Sequence, residues 1–371
     1  MSYLKKFVIL LVLGGFLYLI YQLMRQRQLL LAREGLAFSV PSKTNELATV
    51  TVNTTPVGIS NAPVPTKPMP IVQYCIKASY NTAFTGNYIN KDMVKYVLQR
   101  GCRFLDFEIF PNAEAKDNIN LIPTVSCHEM RPQSTETLYD ILNTIGIYGY
   151  FQGTPNPQDP IFIHLRVCSQ GNRYLYSQIA HVIHNSAISS KLYVDNAGKA
   201  IQLDPMTQNL DSSLNGKVII VLEAQTAADY RDPQNSCATL SGNSSSPCYD
   251  LANYVNMITG YTNTVRTYST LANQKLNSPT IRDDKLTTSV NSFNLVIPDN
   301  ASSNYWVKLF GMSSTMPYYK LPLNYGIQVV MYPFYQNDQN LATYETMFAN
   351  SGGAAFVPMA TMIAYIKKSI A

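Results

Sequence analysis

Two carboxylates stand on one short apolar run and could take part in chemistry. In C-R-F-L-D-F-E-I-F, Asp106 and Glu108 are separated by a single residue. If this run is a β-strand, both side chains point to the same face, because side chains alternate along a strand. Two carboxylates on the buried face of an apolar strand could bind a cation or accept a proton. A salt bridge that only stabilises the fold is the alternative, and the sequence leaves both open.

Polar side chains also lie at the ends of three other apolar runs. Asn81 comes after residues 71–77, His128 and Glu129 come after residues 122–127, and Arg166 is near the end of residues 160–167. An asparagine oxygen can ligate a metal ion, a histidine can transfer a proton near neutral pH, and an arginine can stabilise a developing anion. These side chains could act together only if the fold brings the ends of the runs to one place.

An α/β barrel would do so. Eight apolar runs are candidate strands, at residues 71–77, 102–110, 122–127, 160–167, 217–223, 293–298, 325–333 and 354–359. Helical patterns such as K-D-M-V-K-Y-V-L-Q-R and T-E-T-L-Y-D-I-L-N-T-I lie between them. Alternation of strands and helices indicates a parallel sheet, and eight repeats predict a closed (β/α)8 TIM-type barrel. In that fold the functional residues gather at the C-terminal ends of the strands.

The order of several motifs resembles the phosphoinositide-specific phospholipase C family, in both its X and Y regions. S-Y-N-T-A-F-T-G (79–86) is similar to the family's S-H-N-T-Y-L-x-G, and R-G-C-R-F-L-D-F-E-I-F (100–110) to R-G-C-R-x-x-E-L-D-x-W. P-T-V-S-C-H, L-N-G-K-V-I-I-V, Y-G-I-Q-V-V-M-Y-P-F-Y-Q-N-D and M-F-A-N-S-G-G-A-A-F-V-P-M follow in the family's order, so that the resemblance runs from about residue 72 to 360.

The resemblance implies cleavage of inositol phospholipids by two histidines, with calcium held by an asparagine, two carboxylates and a glutamate. Asn81, Asp106 and Glu108 match three of these calcium ligands, and Asn81 and Glu129 are the expected substrate-binding residues. A phosphodiester cleavage needs a proton for the leaving group and a positive charge at the phosphoryl oxygens, which is the chemistry such a set would supply.

Three departures from the family pattern predict a degenerate site. Tyr80 stands where the first catalytic histidine is expected, and a phenol with a pKa near 10 is a poor proton acceptor at neutral pH. Arg166 replaces the fourth-strand glutamate, and the lysines that grip ring phosphates are missing near Glu223. Apart from these three losses, His128 lies one residue beyond the expected position of the second histidine, which Cys127 fills, so that a bulge would be needed to bring it into place.

Arg166 is expected to pair with Asp106 or Glu108 and so to take the place of the metal. No cofactor is therefore expected, and calcium only if both carboxylates remain free of Arg166. The three departures leave a vestigial metal site at Asn81, Asp106 and Glu108.

The N-terminus carries a candidate membrane anchor. Residues 7–24 are uncharged and just long enough to cross a bilayer, and Arg25 follows them. The segment that comes next offers no small-residue cleavage site, which favours an anchor over a cleaved signal peptide. The domain prediction is thus an anchor over residues 1–34, a Pro/Thr-rich stalk over 35–70 and a barrel over 71–371.

The bulk composition narrows the partners. The net charge of +5 is small, only 14% of residues are charged, and no basic stripe is interleaved with aromatic residues, so nucleic acid is not an expected partner. Among six cysteines, Cys237 and Cys248 bracket a polar loop that a disulfide could close. The other four lie in apolar runs that are typical of buried thiols.

Two functions from different classes remain. The first is a membrane-anchored, non-catalytic barrel that binds membrane lipid through residues 7–24 and serves as a binding or structural module, with an inositol phospholipid or a structural protein as its partner. A virion of a large DNA virus is one setting that would suit such a protein. The second is a calcium-independent phosphodiesterase in which His128 transfers a proton and Arg166 stabilises the phosphoryl charge. It needs a further acid or base, either Glu129 or His164, although His164 is expected on the outside of the barrel or in its core.

Overall fold

The computed structural model describes residues 14–15, 18–19, 21–22, 42–52, 58–63, 68–112, 121–127, 132–151, 153–240, 248–260, 265–267, 293–298 and 321–370. Its strands are β1 (Tyr74–Ser79), β2 (Phe104–Pro111), β3 (Pro123–Ser126), β4 (Glu136–Thr137), β5 (Ile161–Val167), β6 (Val218–Glu223), β7 (Met257–Thr259), β8 (Val265–Thr267), β9 (Leu295–Ile297), β10 (Val329–Tyr332) and β11 (Phe356–Pro358). Its α-helices are α1 (Lys43–Val50), α2 (Lys91–Gln99), α3 (Leu138–Tyr148), α4 (Leu175–Asn185), α5 (Cys237–Leu240), α6 (Leu321–Tyr325), α7 (Gln339–Ser351) and α8 (Met359–Ile370).

One sheet organises the molecule, in the order β7-β6-β5-β2-β1-β10-β9-β8, and every neighbouring pair along this path is parallel. The central strands β1, β2, β5 and β6 are buried on both faces, as helix-covered parallel strands must be. The parallel α/β, TIM-like sheet predicted from the sequence is therefore confirmed. Within the described ranges no ladder joins β7 to β8, so the closure of the barrel stays a prediction.

Two of the eight predicted strands are present but do not belong to the parallel sheet of the barrel. The run at 122–127 forms β3, which pairs antiparallel with β2 and continues into β4, and the run at 354–359 forms β11, antiparallel to β1. Apolar pattern and length do not distinguish parallel from antiparallel partners, which is why both were assigned to the barrel. The sequence also missed β7 and β8, because strands of three residues leave almost no periodic signal.

Helices α2, α3 and α7 each begin where a side chain accepts a backbone N–H. Asn90 accepts from Asp92 N at the start of α2, Thr137 from Asp140 N at the start of α3, and Asp338 from Leu341 N at the start of α7. The predicted helices at 91–100 and 135–145 are confirmed as α2 and α3, shifted by a few residues at their ends.

The two faces of the sheet bury different cores. The outer core packs the helices against outward side chains such as Leu105 and Ile163. The inner core fills the concave face with residues that alternate with those: Ile76, Ala78, Phe104, Phe162, Ile219, Val221 and Met331. Toward the C-terminal ends of the strands the inner side chains become polar, and this end of the barrel is called the mouth below.

The stalk predicted over residues 35–70 contains a packed helix. Ser42 accepts a hydrogen bond from Asn45 N and starts α1, while Lys43 forms an ion pair with Glu136 in β4. Glu46 in α1 accepts hydrogen bonds from Thr85 Oγ1 at 2.6 Å and from the Asn87 backbone N–H at 2.6 Å. The proline-rich composition that predicted an unpacked stalk begins only after this helix, so the helical stretch K-T-N-E-L-A-T-V went unnoticed.

The predicted anchor at residues 7–24 lies mostly outside the described residues, and the six residues of it that are described are helical. Across the described part of the chain, no helix has both the length and the apolar character of a bilayer span. The domain boundaries at 34 and 70 stay predictions.

The disulfide suggested by the sequence is present. Cys237 in α5 is bonded to Cys248, and their Cα atoms lie 5.6 Å apart. Cys75, Cys102 and Cys127 are buried free thiols, as their apolar surroundings in the sequence indicated.

Candidate functional site

The mouth of the barrel is built by strand register. β2 and β5 run side by side so that Asp106 lies opposite His164 and Glu108 lies opposite Arg166. All four side chains belong to the inner face, because residues two apart on a strand point the same way. All four are buried. The neighbouring strands therefore place two carboxylates, an imidazole and a guanidinium in one polar layer.

Arg166 is the centre of this layer. Its Nε donates to Asp106 Oδ1 at 2.9 Å, and its Nη2 donates to Asp106 Oδ2 at 2.7 Å and to Asn81 Oδ1 at 2.7 Å. Its Nη1 donates to Glu108 Oε1. One guanidinium thus meets an oxygen of each residue in the predicted metal site, and the ion pair expected with either carboxylate is formed with both.

Tyr80 covers the guanidinium from the end of β1. The Arg166 Cζ atom lies 5.0 Å from the centroid of the Tyr80 ring, which is within the range of a cation–π contact. Burial raises the pKa of the Tyr80 phenol, and the nearby guanidinium offsets only part of that rise. The residue at the position of the first histidine therefore stays neutral and acts as an aromatic wall beside Arg166.

The charges of the layer stabilise one another. Burial alone would raise the pKa of Asp106, but Arg166 and His164 outweigh it and hold the pKa of that carboxyl well below its usual range. Burial alone would lower the pKa of Arg166, but Asp106, Tyr80 and Glu108 raise it well above its ordinary value. Both groups of the ion pair are charged at neutral pH.

A second chain of hydrogen bonds leaves Asp106 on its other side. His164 Nδ1 lies 2.8 Å from Asp106 Oδ1, and His164 Nε2 lies 2.9 Å from Thr259 Oγ1 in β7. The sequence placed His164 outside the barrel or in its core, and this was wrong in part: the side chain is buried, but it shares the inner face with Arg166 two residues later. Thr259 was missed because β7 was not recognised.

Asn81 has the backbone geometry of a tight turn at the mouth. Its φ angle is 41°, a conformation that asparagine tolerates better than most residues. The turn directs its backbone N–H to Asp106 Oδ2 at 3.0 Å, while its side-chain Nδ2 lies 3.1 Å from Cys127 Sγ. Cys127 therefore fills the place beside Asn81. His128 and Glu129, the remaining predicted catalytic and substrate-binding residues, lie outside the described residues.

The segment that contains these residues matches the sequence model of a known family. Residues 68–224 match the sequence model of the family described as phosphatidylinositol-specific phospholipase C, X domain. This segment resembles the X domain of that family in a divergent form. No curated protein sequence matches the chain.

Solved structures agree with this phospholipase C-like fold. PLC21 from L. pealei matches with a TM-score of 0.57 and 14% identity over 88% of this chain and 42% of that chain. PLC21 from S. officinalis matches with a TM-score of 0.56 and 15% identity over 89% of this chain and 42% of that chain. At such identities the likeness shows the fold alone. The chain spans 42% of the length of either PLC21 structure.

The calcium that the phospholipase C resemblance implies does not fit this donor set. Arg166 donates to Asn81 Oδ1, to both carboxylate oxygens of Asp106 and to Glu108 Oε1, which are oxygens that would have to ligate it. A divalent cation placed among them would stand next to a buried guanidinium and be repelled by it. In the described part of the chain no group of three or more His, Cys, Asp and Glu side chains is arranged to hold a metal ion.

Proposed function

We propose that this chain is a phospholipase C-type barrel whose active site has lost catalysis, and that it acts as a binding or structural module. The observation that carries the proposal is the occupation of Asn81, Asp106 and Glu108 by Arg166, under the ring of Tyr80. An arginine that donates to all three residues has few N–H groups left for a phosphate. A neutral tyrosine at the first histidine position supplies no proton-transfer group near pH 7.

The charge balance of the mouth supports the same proposal. Glu223 ends β6 on the inner face, is buried, and adds a third carboxylate to Asp106 and Glu108. In the described part of the inner face, one guanidinium, that of Arg166, balances these three carboxylates. A phosphorylated inositol headgroup is anionic and would be repelled by such a mouth. An inositol phospholipid, if bound, is expected to bind weakly and without conversion.

The proposed location is a membrane, with residues 7–24 as a single-pass N-terminal anchor. Arg25 at the end of an uncharged segment supports it. A structural role in the virion of a large DNA virus remains part of the proposal and rests on the combination of an anchor with a divergent barrel. Deletion of residues 1–34 tests the anchor: the chain should move from the membrane fraction to the soluble fraction. Retention in the membrane fraction would contradict it.

A second candidate function is calcium-independent cleavage of a phosphodiester. The hydrogen bond of 2.8 Å between His164 Nδ1 and Asp106 Oδ1 favours it, because a carboxylate orients an imidazole for proton transfer. His128 or Glu129 would be the second proton-transfer group, and Arg166 would stabilise the phosphoryl charge.

A turnover assay separates the two functions. The full chain in detergent is mixed with detergent-dispersed phosphatidylinositol, once with calcium and once with a chelator, beside the His128→Ala and Arg166→Lys variants. We expect no release of inositol phosphate above the protein-free control under either condition. Turnover that persists in chelator and is lost in His128→Ala would overturn the proposal and establish the phosphodiesterase.

A further inference from the structure

The end of the barrel opposite the mouth carries an exposed apolar patch. Helix α3 runs down the outside of the sheet and ends at Tyr148, before the loop that leads into β5. Around this end, Ile147 and Phe151 each keep 58% of their surface exposed. Val52 is more exposed still, so what marks this end of α3 is that two exposed apolar side chains lie four positions apart with lysines beside them. Ile147, Tyr148, Tyr150 and Phe151, with Lys95 and Lys191, are called the basal patch below.

Lysines stand over the tyrosines of the basal patch. Lys95 Nζ lies 4.6 Å from the centroid of the Tyr148 ring, and Lys191 Nζ lies 5.5 Å from the centroid of the Tyr150 ring. Neither lysine takes part in an ion pair in the described ranges. The patch therefore combines two exposed apolar side chains with two cations that no carboxylate neutralises.

The loop that presents Phe151 is firmly attached to the barrel. The buried Arg103 donates to the carbonyl oxygen of Gly149 at 2.8 Å and to that of Asn156. Thr154 donates through its backbone N–H to Phe151 O at 2.9 Å and through its hydroxyl to Tyr148 O at 2.6 Å. These bonds hold Phe151 at the surface.

Gly153 makes room for the exposed ring. A Cβ at residue 153 would lie 3.2 Å from two ring atoms of Phe151, closer than ordinary van der Waals contact. A glycine at this position and the four hydrogen bonds of this loop keep the Phe151 ring outside the core. The exposure is thus a feature of a fixed loop.

We infer that the basal patch docks on an anionic lipid surface. Aromatic side chains favour the interface between headgroups and acyl chains, and lysines beside them can reach lipid phosphates with their ammonium groups. The two exposed side chains offer on the order of 200 Å² of apolar surface, which is well below the roughly 800 Å² per partner of a stable protein interface. A small apolar tip with flanking cations is matched better by a bilayer than by a protein surface.

The docking would orient the barrel with its mouth away from that lipid surface. This inference is independent of the proposed loss of catalysis, because the basal patch shares no residue with the mouth. Docking through the basal patch would also be compatible with an active barrel whose substrate enters the mouth from the side that faces away from the lipid surface.

Tryptophan fluorescence tests the docking in the full chain. In a Trp306→Phe background, which removes the single native tryptophan, Phe151→Trp places a reporter in the basal patch. Tyr139→Trp is the matched control, because Tyr139 is 46% exposed on the same helix but at its other end. The proteins are reconstituted with vesicles of phosphatidylcholine alone or with about a third phosphatidylserine, each containing a brominated lipid as quencher.

We expect the reporter of Phe151→Trp to shift to shorter wavelength and to be quenched at least twofold more in the anionic vesicles, while that of Tyr139→Trp changes little. Adding Lys95→Gln and Lys191→Gln should return the quenching of Phe151→Trp to its level in neutral vesicles, because a lysine near an anionic surface accounts for about a fivefold change in affinity. Equal quenching of the two reporters, or quenching that is indifferent to both lysines, would overturn the inference. The fluorescence shift and the quenching can be measured whether or not the chain hydrolyses phosphatidylinositol.

Discussion

The Arg166 guanidinium meets the Asp106 carboxylate at two points, from Nε to Oδ1 at 2.9 Å and from Nη2 to Oδ2 at 2.7 Å. This two-point geometry fixes both side chains in the interior of the barrel, where neither could remain charged alone. Because Arg166 also reaches Glu108 and Asn81, one residue on β5 determines the electrostatics of the mouth.

Loss of the guanidinium should destabilise the fold strongly. Arg166→Gln leaves Asp106 and Glu108 buried without a counter-charge, and breaking a buried ion pair in this way costs about 3–5 kcal/mol. Urea unfolding monitored by circular dichroism measures the change. The exposed Arg231 supplies the matched control, since Arg231→Gln should change the free energy of unfolding by less than about 0.5 kcal/mol. Similar losses in both variants would show that the ion pair contributes no more than a surface charge.

Calcium should stabilise the chain only after Arg166 is replaced. Millimolar calcium is expected to leave the melting temperature of the wild type unchanged, because the guanidinium holds the oxygens of Asn81, Asp106 and Glu108. Arg166→Glu would restore four oxygen-bearing side chains, and calcium at a hundredfold excess over its Kd would then stabilise this variant by about 2.7 kcal/mol relative to the same variant in chelator. Differential scanning fluorimetry with calcium, magnesium and chelator is the measurement. A clear calcium shift of the wild type would contradict the fit argument.

The decrease of the unfolding free energy at acid pH should depend on Asp106. Its pKa is lower in the folded than in the unfolded chain, so the unfolded state binds more protons in acid and stability rises with pH. The contribution is complete above about pH 5 and is lost as the pH falls through the unfolded value of about 3.9 toward the depressed folded value. Asp106→Asn should therefore flatten the slope of unfolding free energy between about pH 5 and pH 3. The exposed Asp92 provides the comparison: Asp92→Asn should keep the wild-type slope, and a slope equally steep in Asp106→Asn would rule out this role.

The residues at the mouth show which contacts could be predicted from the sequence. The pairing of Arg166 with the carboxylates was predictable, because strand periodicity placed Asp106 and Glu108 on one face and the order of motifs put Arg166 where the resemblance implies a ligand of the same calcium. The partner of His164 was not, since Thr259 lies on a strand of three residues with no detectable period. The antiparallel pairing of β3 with β2 could not be predicted either, because an apolar run of six residues is compatible with a parallel or an antiparallel partner strand.

Removal of the disulfide should weaken the segment that it closes. Cys237 and Cys248 are separated by 11 positions, and a loop of that length implies about 3 kcal/mol of stabilisation through the entropy of the unfolded chain. Cys237→Ser with Cys248→Ser should lower the unfolding free energy by up to this amount. The buried free thiol Cys75 serves for comparison, because Cys75→Ser should respond identically to reducing and non-reducing conditions. If reductant leaves the wild type as stable as before, the bond contributes nothing.

Glu345 should supply the ionic part of the attachment of α7 to the first strand, beside the hydrogen bonds between Tyr344 and Ala78. Its carboxylate accepts from Lys77 Nζ at 3.3 Å and from Arg100 Nε at 2.8 Å, and all three side chains are buried. Burial lowers the pKa of Lys77 and Glu345 partly restores it, so the lysine depends on this counter-charge. Glu345→Gln leaves two buried cations facing a neutral amide, and we expect a loss of about 3–5 kcal/mol by urea unfolding.

A second substitution distinguishes charge from packing at this position. Lys77→Met in the Glu345→Gln background removes one of the two uncompensated cations and should recover part of the lost stability, whereas Lys77→Met alone should not stabilise the wild type. Thr346→Ala on the exposed side of α7 controls for changes in the helix itself. If Lys77→Met adds its own loss to that of Glu345→Gln, the two residues act independently, and the attachment of α7 to β1 rests on the hydrogen bonds between Tyr344 and Ala78 and on apolar contacts.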